Sequence, residues 1–174
     1  MGKNLIIIDM QNDFITGSLG IPEAIEAEHY IVKNLNFEEY TRVFLTRDTH
    51  SQNYLETAEG KKLPIPHCIR NTYGWEISTP ILKKLKNSKV PYYFCNKFTF
   101  GYKWSKMDAI IENDNSFTIV GVCTDICVIS NALILKALYP EARIEVIGYM
   151  CAGTTPEKHD EALDIMKSCQ IEVV

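Results

Sequence analysis

The chain has 174 residues, which suits one domain spanning residues 1–174, and its 18 Lys and Arg against 22 Asp and Glu give a formal net charge of −4. The basic residues are scattered rather than clustered, so the sequence indicates no nucleic-acid partner. The apolar run at residues 5–8 is far too short for a signal peptide or a membrane span. We therefore expect a cytoplasmic protein with no membrane partner, whose six cysteines stay reduced.

Short apolar runs and amphipathic stretches follow one another along the chain and predict alternating strands and helices. In chain order we predict a strand at residues 5–8, a helix at 24–35, a strand at 42–46, a loop at 47–73, a helix at 75–87, a strand at 91–95, a helix at 103–112, a strand at 117–121, a helix at 126–138, a strand at 144–147, a helix at 156–168 and a strand at 171–174. Within the helix at 75–87, Ile77, Ile81 and Leu85 fall on one face, and Thr155 before Pro156 is typical of a helix start.

This alternation predicts a Rossmann-like, three-layer α/β/α fold with a central six-stranded parallel sheet, because parallel strands need crossover helices that then cover both faces. In such folds ligands bind beyond the carboxyl ends of the strands. Asp9, Asp48 and Lys97 and the segment 123–127 all follow predicted strands, so they should face one cleft. No GxGxxG or GxxxxGK[ST] motif follows a strand, and the phosphate-binding backbone of dinucleotide and P-loop proteins is therefore missing.

Cys127 is the first candidate nucleophile, because it falls in the first turn of the helix that follows a buried strand. Backbone N–H groups and the helix dipole at such a position favour a thiolate and can hold an oxyanion. From position alone, a buried structural cysteine is at least an equal reading. Asp9 and Lys97 also follow buried strands, and each fits a salt bridge at the sheet rim equally well. Together the three residues would supply a nucleophile, a proton acceptor and a cation that favours the thiolate.

Asp48, His50 and His67 form a candidate metal site. Asp48 and His50 lie two residues apart just after a strand, where extended backbone points both side chains the same way, and His67 follows a segment stiffened by two prolines. One carboxylate and two imidazoles suit Zn²⁺, Fe²⁺ or Mn²⁺. An Asp–His hydrogen bond at the start of a loop is the plainer alternative.

The chain resembles the isochorismatase-like cysteine hydrolases and, within them, the nicotinamidases. The likeness rests on Ile-Asp-Met-Gln-Asn-Asp-Phe at residues 8–14, on Asn-Lys at 96–97 and on Gly-Val-Cys-Thr-Asp-Ile-Cys-Val at 121–128. It implies a catalytic triad of Asp9, Lys97 and Cys127. It also implies a cis peptide at Val122–Cys123 that directs the N–H groups of Cys123 and Cys127 at the oxyanion. The family more often has Ala where this chain has Cys123.

The same resemblance extends the metal and substrate sites. Some nicotinamidases add a fourth metal ligand between the two histidines, which implies Glu59 here, with Glu56 as the competing residue. It also implies that Phe14, together with Phe100 or Tyr102, packs against a substrate ring. The two remaining histidines, His29 and His159, fall on predicted helices and are read as surface residues.

The function that the resemblance implies is hydrolysis of nicotinamide to nicotinate and ammonia through a thioester, a reaction of NAD salvage. The implied cofactor is one divalent metal ion, zinc first, with iron or manganese as alternatives. Other hypotheses are an amidohydrolase of the same fold that acts on a carbamoyl or ureido compound, a vinyl-ether hydrolase, and a non-catalytic metal-binding domain. We expect a small-molecule amide as partner, and a homo-oligomer in which a second subunit closes the pocket left open by the short C-terminus.

Overall fold

The computed structural model describes residues 2–111 and 116–174. Within these residues six parallel strands form one sheet in the order β3-β2-β1-β4-β5-β6. The strands are β1 Lys3–Ile8, β2 Arg42–Asp48, β3 Tyr92–Lys97, β4 Ser116–Val122, β5 Arg143–Ala152 and β6 Glu172–Val173. The helices are α1 Asn12–Ile15, α2 Pro22–Asn34, α3 Ala58–Lys62, α4 Thr79–Ser88, α5 Asp108–Ile111, α6 Ile129–Leu138 and α7 Pro156–Ser168.

Helices cover both faces of the sheet, and consecutive residues of a strand point to opposite faces. Leu5 and Ile7 of β1 belong to the core that includes Ile31 of α2, and Ile6 and Ile8 belong to the core that includes Leu135 of α6. This burial explains why β1 reads as a continuous apolar run rather than an alternating one. The predicted three-layer α/β/α fold with a central six-stranded parallel sheet is confirmed.

Two predicted helices and one predicted loop differ from the structure. The helix predicted at 75–87 begins only at Thr79, after a 3₁₀ turn at Tyr73–Trp75, and Ile77 precedes it in an isolated bridge with Gln11. The stretch predicted at 103–112 is a 3₁₀ turn, Trp104–Met107, followed by α5, and residue 112 lies outside the described residues. The predicted loop at 47–73 contains a 3₁₀ turn, Tyr54–Glu56, and the short helix α3. Apolar spacing alone cannot separate a helix from a turn that packs on the same core.

The strand and the helix on either side of the candidate nucleophile turn also differ from the prediction at their ends. β4 is Ser116–Val122 rather than 117–121, and α6 begins at Ile129 rather than at residue 126. The helix predicted from residue 126 is preceded by a π-helical turn at Thr124–Val128, a form that is frequent at functional sites. Gly121 has φ +123°, and a Cβ there would collide with the carbonyl oxygen of Ile8. A glycine is therefore needed for β4 to approach β1 where both strands end. The start of α7 is as predicted, with the Thr155 hydroxyl accepting from Lys158 N at 3.2 Å.

Among the described residues, none of the helices combines the length and the apolar character that crossing a membrane requires.

Candidate active site

Three strand ends bring Asp9, Lys97 and Cys127 together, as the sequence predicted from their positions. Lys97 Nζ lies 2.6 Å from Asp9 Oδ2 and 3.4 Å from Cys127 Sγ. Asp9 is 0%, Lys97 2% and Cys127 6% exposed, so the three groups interact in a largely water-free environment. Charges interact more strongly at such sites than at the surface.

Asp9 is held in place by Thr46, a residue that the sequence did not single out. The Thr46 hydroxyl donates to Asp9 Oδ1 at 2.6 Å and accepts from Asp9 N at 3.1 Å. Asp9 has φ +47°, which turns the chain directly after β1. Burial raises the pKa of the Asp9 carboxyl, although the charge of Lys97 opposes that shift. A carboxylate of raised pKa is a better proton acceptor for a thiol than an ordinary Asp.

The environment of Cys127 favours the neutral thiol at rest. Burial raises the pKa of Cys127 well above its usual value, the nearby negative charge of Asp9 raises it further, and Lys97 acts in the opposite direction. For Lys97 burial opposes the charged form, but the negative charges of Asp9, Cys127 and Asp48 raise its pKa. We expected Lys97 to favour a thiolate, whereas burial and the charge of Asp9 together raise the pKa more than Lys97 lowers it.

The turn that carries Cys127 is fixed by backbone and side-chain hydrogen bonds. The Cys123 carbonyl accepts from Ile126 N at 3.1 Å and from Val128 N at 3.0 Å. Asn131, which is fully buried, donates from Nδ2 to the Cys127 carbonyl at 2.7 Å. Its Oδ1 accepts from Tyr102 N and Trp104 Nε1, both at 2.9 Å. Asn131 therefore joins the nucleophile turn to the segment that follows β3.

Four side chains beside the triad have the composition of a metal site. Asp48, His50, Glu59 and His67 each offer one ligand atom, and these atoms lie within 4.8 Å of one another. Asp48 Oδ2 is 2.8 Å from His50 Nε2 and 3.5 Å from His67 Nε2, and Glu59 Oε1 is 3.8 and 3.7 Å from the same two nitrogens. Glu59 thus occupies the position expected of the fourth ligand, and the competing Glu56 is not part of the cluster.

The tautomer of His67 and the ionised carboxylate of Asp48 both favour a bound cation at this cluster. His67 Nδ1 lies 2.8 Å from the Ile65 carbonyl, which can only accept, so Nδ1 carries the proton and a neutral His67 has a free lone pair on Nε2. That lone pair faces two carboxylates, an arrangement that calls for a proton or a metal ion between them. Burial alone would raise the pKa of Asp48, but the neighbouring imidazoles of His50 and His67 and the charge of Lys97 hold it well below its usual range. The donor set therefore fits a divalent ion such as Zn²⁺.

One cavity of about 690 Å³ connects the two groups, with Asp48, Glu59, His67, Cys123 and Cys127 in its wall. Most of the remaining wall is apolar: Phe14, Leu19, Ile21, Ala58, Leu63, Phe98, Phe100 and Ile126. Cavities of about 300–1,000 Å³ with apolar walls and a few polar groups are typical of small-molecule sites.

The family model described as the isochorismatase domain matches residues 3–174. The chain belongs to the isochorismatase family. It is 24% identical over 213 residues to the nicotinamidase of Saccharomyces cerevisiae, with 99% of each chain covered, and 26% identical over 206 residues to that of Schizosaccharomyces pombe, with 98% of this chain and 91% of the other covered.

Two solved structures resemble the chain over its whole length. The nicotinamidase/pyrazinamidase PncA from Bacillus subtilis has a TM-score of 0.83 at 26% identity, with 100% of both chains covered. The pyrazinamidase of Pyrococcus horikoshii in complex with zinc has a TM-score of 0.78 at 25% identity, covering 100% of this chain and 99% of the other. The predicted family and fold are confirmed, as is the predicted enzyme class, an amidohydrolase.

The isochorismatase-family motif at residues 8–14 has structural roles that the sequence did not reveal. Gln11 is fully buried and grips the backbone of Asp48, accepting from its N–H at 2.8 Å and donating to its carbonyl at 2.9 Å. Asp13 accepts from Cys68 N at 2.7 Å, next to His67. The motif that contains Asp9 therefore also supports Asp48 and the backbone next to His67, two residues of the candidate metal site.

The family resemblance also implied a cis peptide and a set of ring contacts. The Val122–Cys123 peptide is cis, as expected. Phe14 and Phe100 line the cavity, and Phe14 lies 5.6 Å from His67 between ring centroids. Of the two alternatives after Lys97, Tyr102 is not in the cavity wall and packs in the core with its ring 5.0 Å from that of Trp104.

The two remaining histidines have different environments. His29 is exposed, as predicted. His159 is partly buried, and its Nδ1 lies 2.8 Å from the hydroxyl of Thr124 in the nucleophile turn, a contact that its interpretation as a surface residue did not include. No local signal in the sequence pointed to this contact, because the two residues are 35 positions apart.

Proposed function

We propose that the protein is a nicotinamidase that converts nicotinamide to nicotinate and ammonia through a thioester on Cys127, with one bound divalent metal ion. The observation that carries this proposal is that a buried thiol, paired with Asp9 and Lys97, opens into the same cavity as a four-residue metal-ligand set. Nicotinamide presents a carboxamide and a pyridine nitrogen on one ring, so it can engage both groups at once.

The reaction begins with proton transfer from Cys127 Sγ to Asp9. The sulfur then attacks the carboxamide carbon, and Lys97, 3.4 Å from Sγ, stabilises the negative charge on sulfur. The carbonyl oxygen becomes an oxyanion that the backbone N–H groups of Cys123 and Cys127 hold. Asp9 returns the proton to the departing nitrogen, the C–N bond breaks and ammonia leaves. Asp9 next takes a proton from water, which attacks the thioester carbonyl. The C–S bond then breaks, Asp9 returns its proton to the sulfur to restore the thiol, and the acid product loses its carboxyl proton to solvent and leaves as nicotinate.

Asp48, His50, Glu59 and His67 are the residues we propose to hold the ion, with zinc as the first choice and iron or manganese as alternatives. A bound divalent ion would supply a Lewis acid able to accept the lone pair of a ring nitrogen. Phe14, in the wall beside His67, would pack against the ring face, with Phe100, also in the wall, as a second contact.

The apolar wall favours an aromatic amide over a carbamoyl or ureido substrate. A ureido compound carries several hydrogen-bonding groups that would need polar partners once buried. The cavity wall instead offers mainly apolar side chains, and outside the triad and the metal set its polar residues are Lys62, Thr99 and Thr154. We also propose that the enzyme is cytoplasmic, since a reducing compartment would keep its six free cysteines as thiols. We further propose that it acts in NAD salvage and works as a homo-oligomer.

The test compares kcat/KM for nicotinamide and benzamide, which share the ring and the amide but differ in the ring nitrogen. With the metal site loaded, nicotinamide should be preferred by up to roughly 10⁴-fold, because benzamide leaves a group built for that nitrogen without a partner. After removal of the metal, KM for nicotinamide should rise steeply while benzamide remains a poor substrate. Equal kcat/KM for the two amides in the loaded enzyme would leave only a generic cysteine amidase.

A further inference from the structure

Side-chain contacts of two consecutive residues join the nucleophile turn to Thr154, which also lines the cavity, and to His159 on α7. Asp125 uses both carboxylate oxygens on Thr154, with Oδ1 accepting from the backbone N–H at 2.8 Å and Oδ2 from the hydroxyl at 2.6 Å. The preceding residue, Thr124, is fully buried and places its hydroxyl 2.8 Å from His159 Nδ1 on α7. Consecutive residues of the turn are thus anchored to consecutive parts of one neighbouring segment.

Gly153, which precedes Thr154, packs closely against His159. A Cβ added to Gly153 would lie 2.8 Å from both the backbone nitrogen and the Cβ of His159. The segment before α7 therefore approaches His159 as closely as a glycine permits. Neither contact involves the thiol, the triad or the metal set, so the reaction steps do not account for them.

We propose that Asp125 and His159 are positioning residues that fix the backbone N–H groups of Cys123 and Cys127 on the oxyanion. This proposal rests on the proposed function, in which those two N–H groups hold the tetrahedral oxygen. Thr124 and Asp125 lie between the two donors in the chain, so anchoring them sets the direction of both N–H bonds. A misplacement of about 1 Å at such a site can reduce the rate roughly 100-fold.

The position of these anchors predicts a specific kinetic pattern. The oxyanion exists only in the transition state and the tetrahedral intermediate, so loosening its donors should lower kcat and leave KM nearly unchanged. The expected decrease for Asp125→Ala is about 10- to 100-fold, less than or similar to the loss of one oxyanion donor. His159→Ala should act in the same direction. The thiol itself should keep its reactivity, because Asp9 and Lys97 are not disturbed.

The experiment measures three quantities on the metal-loaded full-length protein. These are kcat and KM for nicotinamide, the inhibition constant of nicotinaldehyde, and the rate at which iodoacetamide alkylates Cys127. The thiol adds to the aldehyde carbon and its proton passes to the oxygen, giving a tetrahedral adduct whose oxygen occupies the oxyanion position. Alkylation forms a C–S bond and releases iodide without using that position. In Asp125→Ala, kcat and aldehyde affinity should fall by similar factors while the alkylation rate stays as in the unaltered protein.

Conservative variants separate positioning from general folding. Asp125→Asn keeps an oxygen for Thr154 N and offers an N–H to the Thr154 hydroxyl, and His159→Asn keeps a polar atom near the place of Nδ1. Both should recover most of the lost kcat. Asp164→Ala is the matched charge control, because Asp164 lies on α7 and, among residues 2–111 and 116–174, its exposed side chain pairs only with Lys167. It should leave all three quantities unchanged.

The proposal is overturned if Asp125→Ala and His159→Ala both keep the kcat of the unaltered protein. It is equally overturned if the alkylation rate falls as much as kcat, or if KM rises while aldehyde affinity is kept. Should Asp125→Ala fail to fold, Asp125→Asn combined with Thr154→Val tests the same contact. Benzaldehyde, which lacks the ring nitrogen, is measured in parallel. If the unaltered protein does not hydrolyse nicotinamide, the proposed function fails, whereas the benzaldehyde and alkylation measurements still decide the role of Asp125.

Discussion

Replacing Lys97 by Met should destabilise the fold as well as abolish activity. The Lys97 ammonium lies 2.6 Å from Asp9 and 3.4 Å from Asp48, and its side chain is 1% exposed. Met is also long and unbranched, so the change removes a charge while leaving little empty space. What it leaves behind is two buried carboxylates without the cation that lies between them.

The expected magnitude follows from that arrangement. Removing one partner of a buried ion pair costs about 3–5 kcal/mol, and for a chain of this size each kcal/mol lowers Tm by about 2–4 °C, so we expect a decrease of about 6–20 °C. The variant should recover stability as the pH falls. Without Lys97 the pKa of Asp9, already raised by burial, rises further, and a group whose folded pKa is raised contributes stability at low pH that is lost as the pH passes that pKa.

Thermal unfolding of four proteins measures the effect: the unaltered chain, Lys97→Met, Asp9→Asn and the double variant. The double variant should be more stable than the two single changes predict when added, because it leaves fewer uncompensated charges. Lys167→Met is the control, since its exposed ion pair with Asp164 should contribute about 0–1 kcal/mol. A loss below about 1 kcal/mol for Lys97→Met at neutral pH would contradict the reasoning, as would a double variant that is merely additive.

Two further predictions concern the thiols. Cys127→Ala should abolish amide hydrolysis with the fold intact, whereas Cys123→Ala should keep most activity, because we propose that only the backbone of Cys123 takes part; the opposite pattern in a nicotinamide assay would disprove this assignment. Because burial raises the pKa of Cys127 well above that of an ordinary thiol, the rate of its alkylation by iodoacetamide should still be rising with pH where a free cysteine has levelled off. A rate for Cys127 that reaches its plateau near neutral pH would show that Lys97 outweighs desolvation.

The fold could be predicted because its signals are local and periodic. Six apolar runs separated by helical stretches leave few alternatives to a parallel sheet, and the residues after those runs had to meet at one edge. What the sequence could not give was the detail of each element end. Gly121 shows why, since its requirement comes from the carbonyl of Ile8, more than a hundred residues away in the chain.

The candidate site was predictable to the same extent. Residues that end strands, such as Asp9, Asp48 and Lys97, were placed correctly beside one another, because sheet geometry decides their position. Phe100 and Tyr102 are two residues apart, and only tertiary packing decides that the first lines the cavity while the second packs on Trp104. The same limit hid His159, because a helix pattern records which face is apolar but not which neighbour a polar side chain meets.

Asp48 shows that the triad and the metal set are one structure rather than two adjacent ones. Its Oδ1 lies 3.4 Å from Lys97 Nζ, while its Oδ2 faces His50 and His67. Gln11 holds the backbone of Asp48 through both its N–H and its carbonyl. A change that shifts Gln11 should therefore move Asp48, which contacts both the proposed ligands His50 and His67 and the cation beside the thiol. This shared support gives a physical reason why the residues after β1 include both Asp9, which pairs with Lys97 beside the thiol, and Gln11, which holds Asp48 of the candidate metal site.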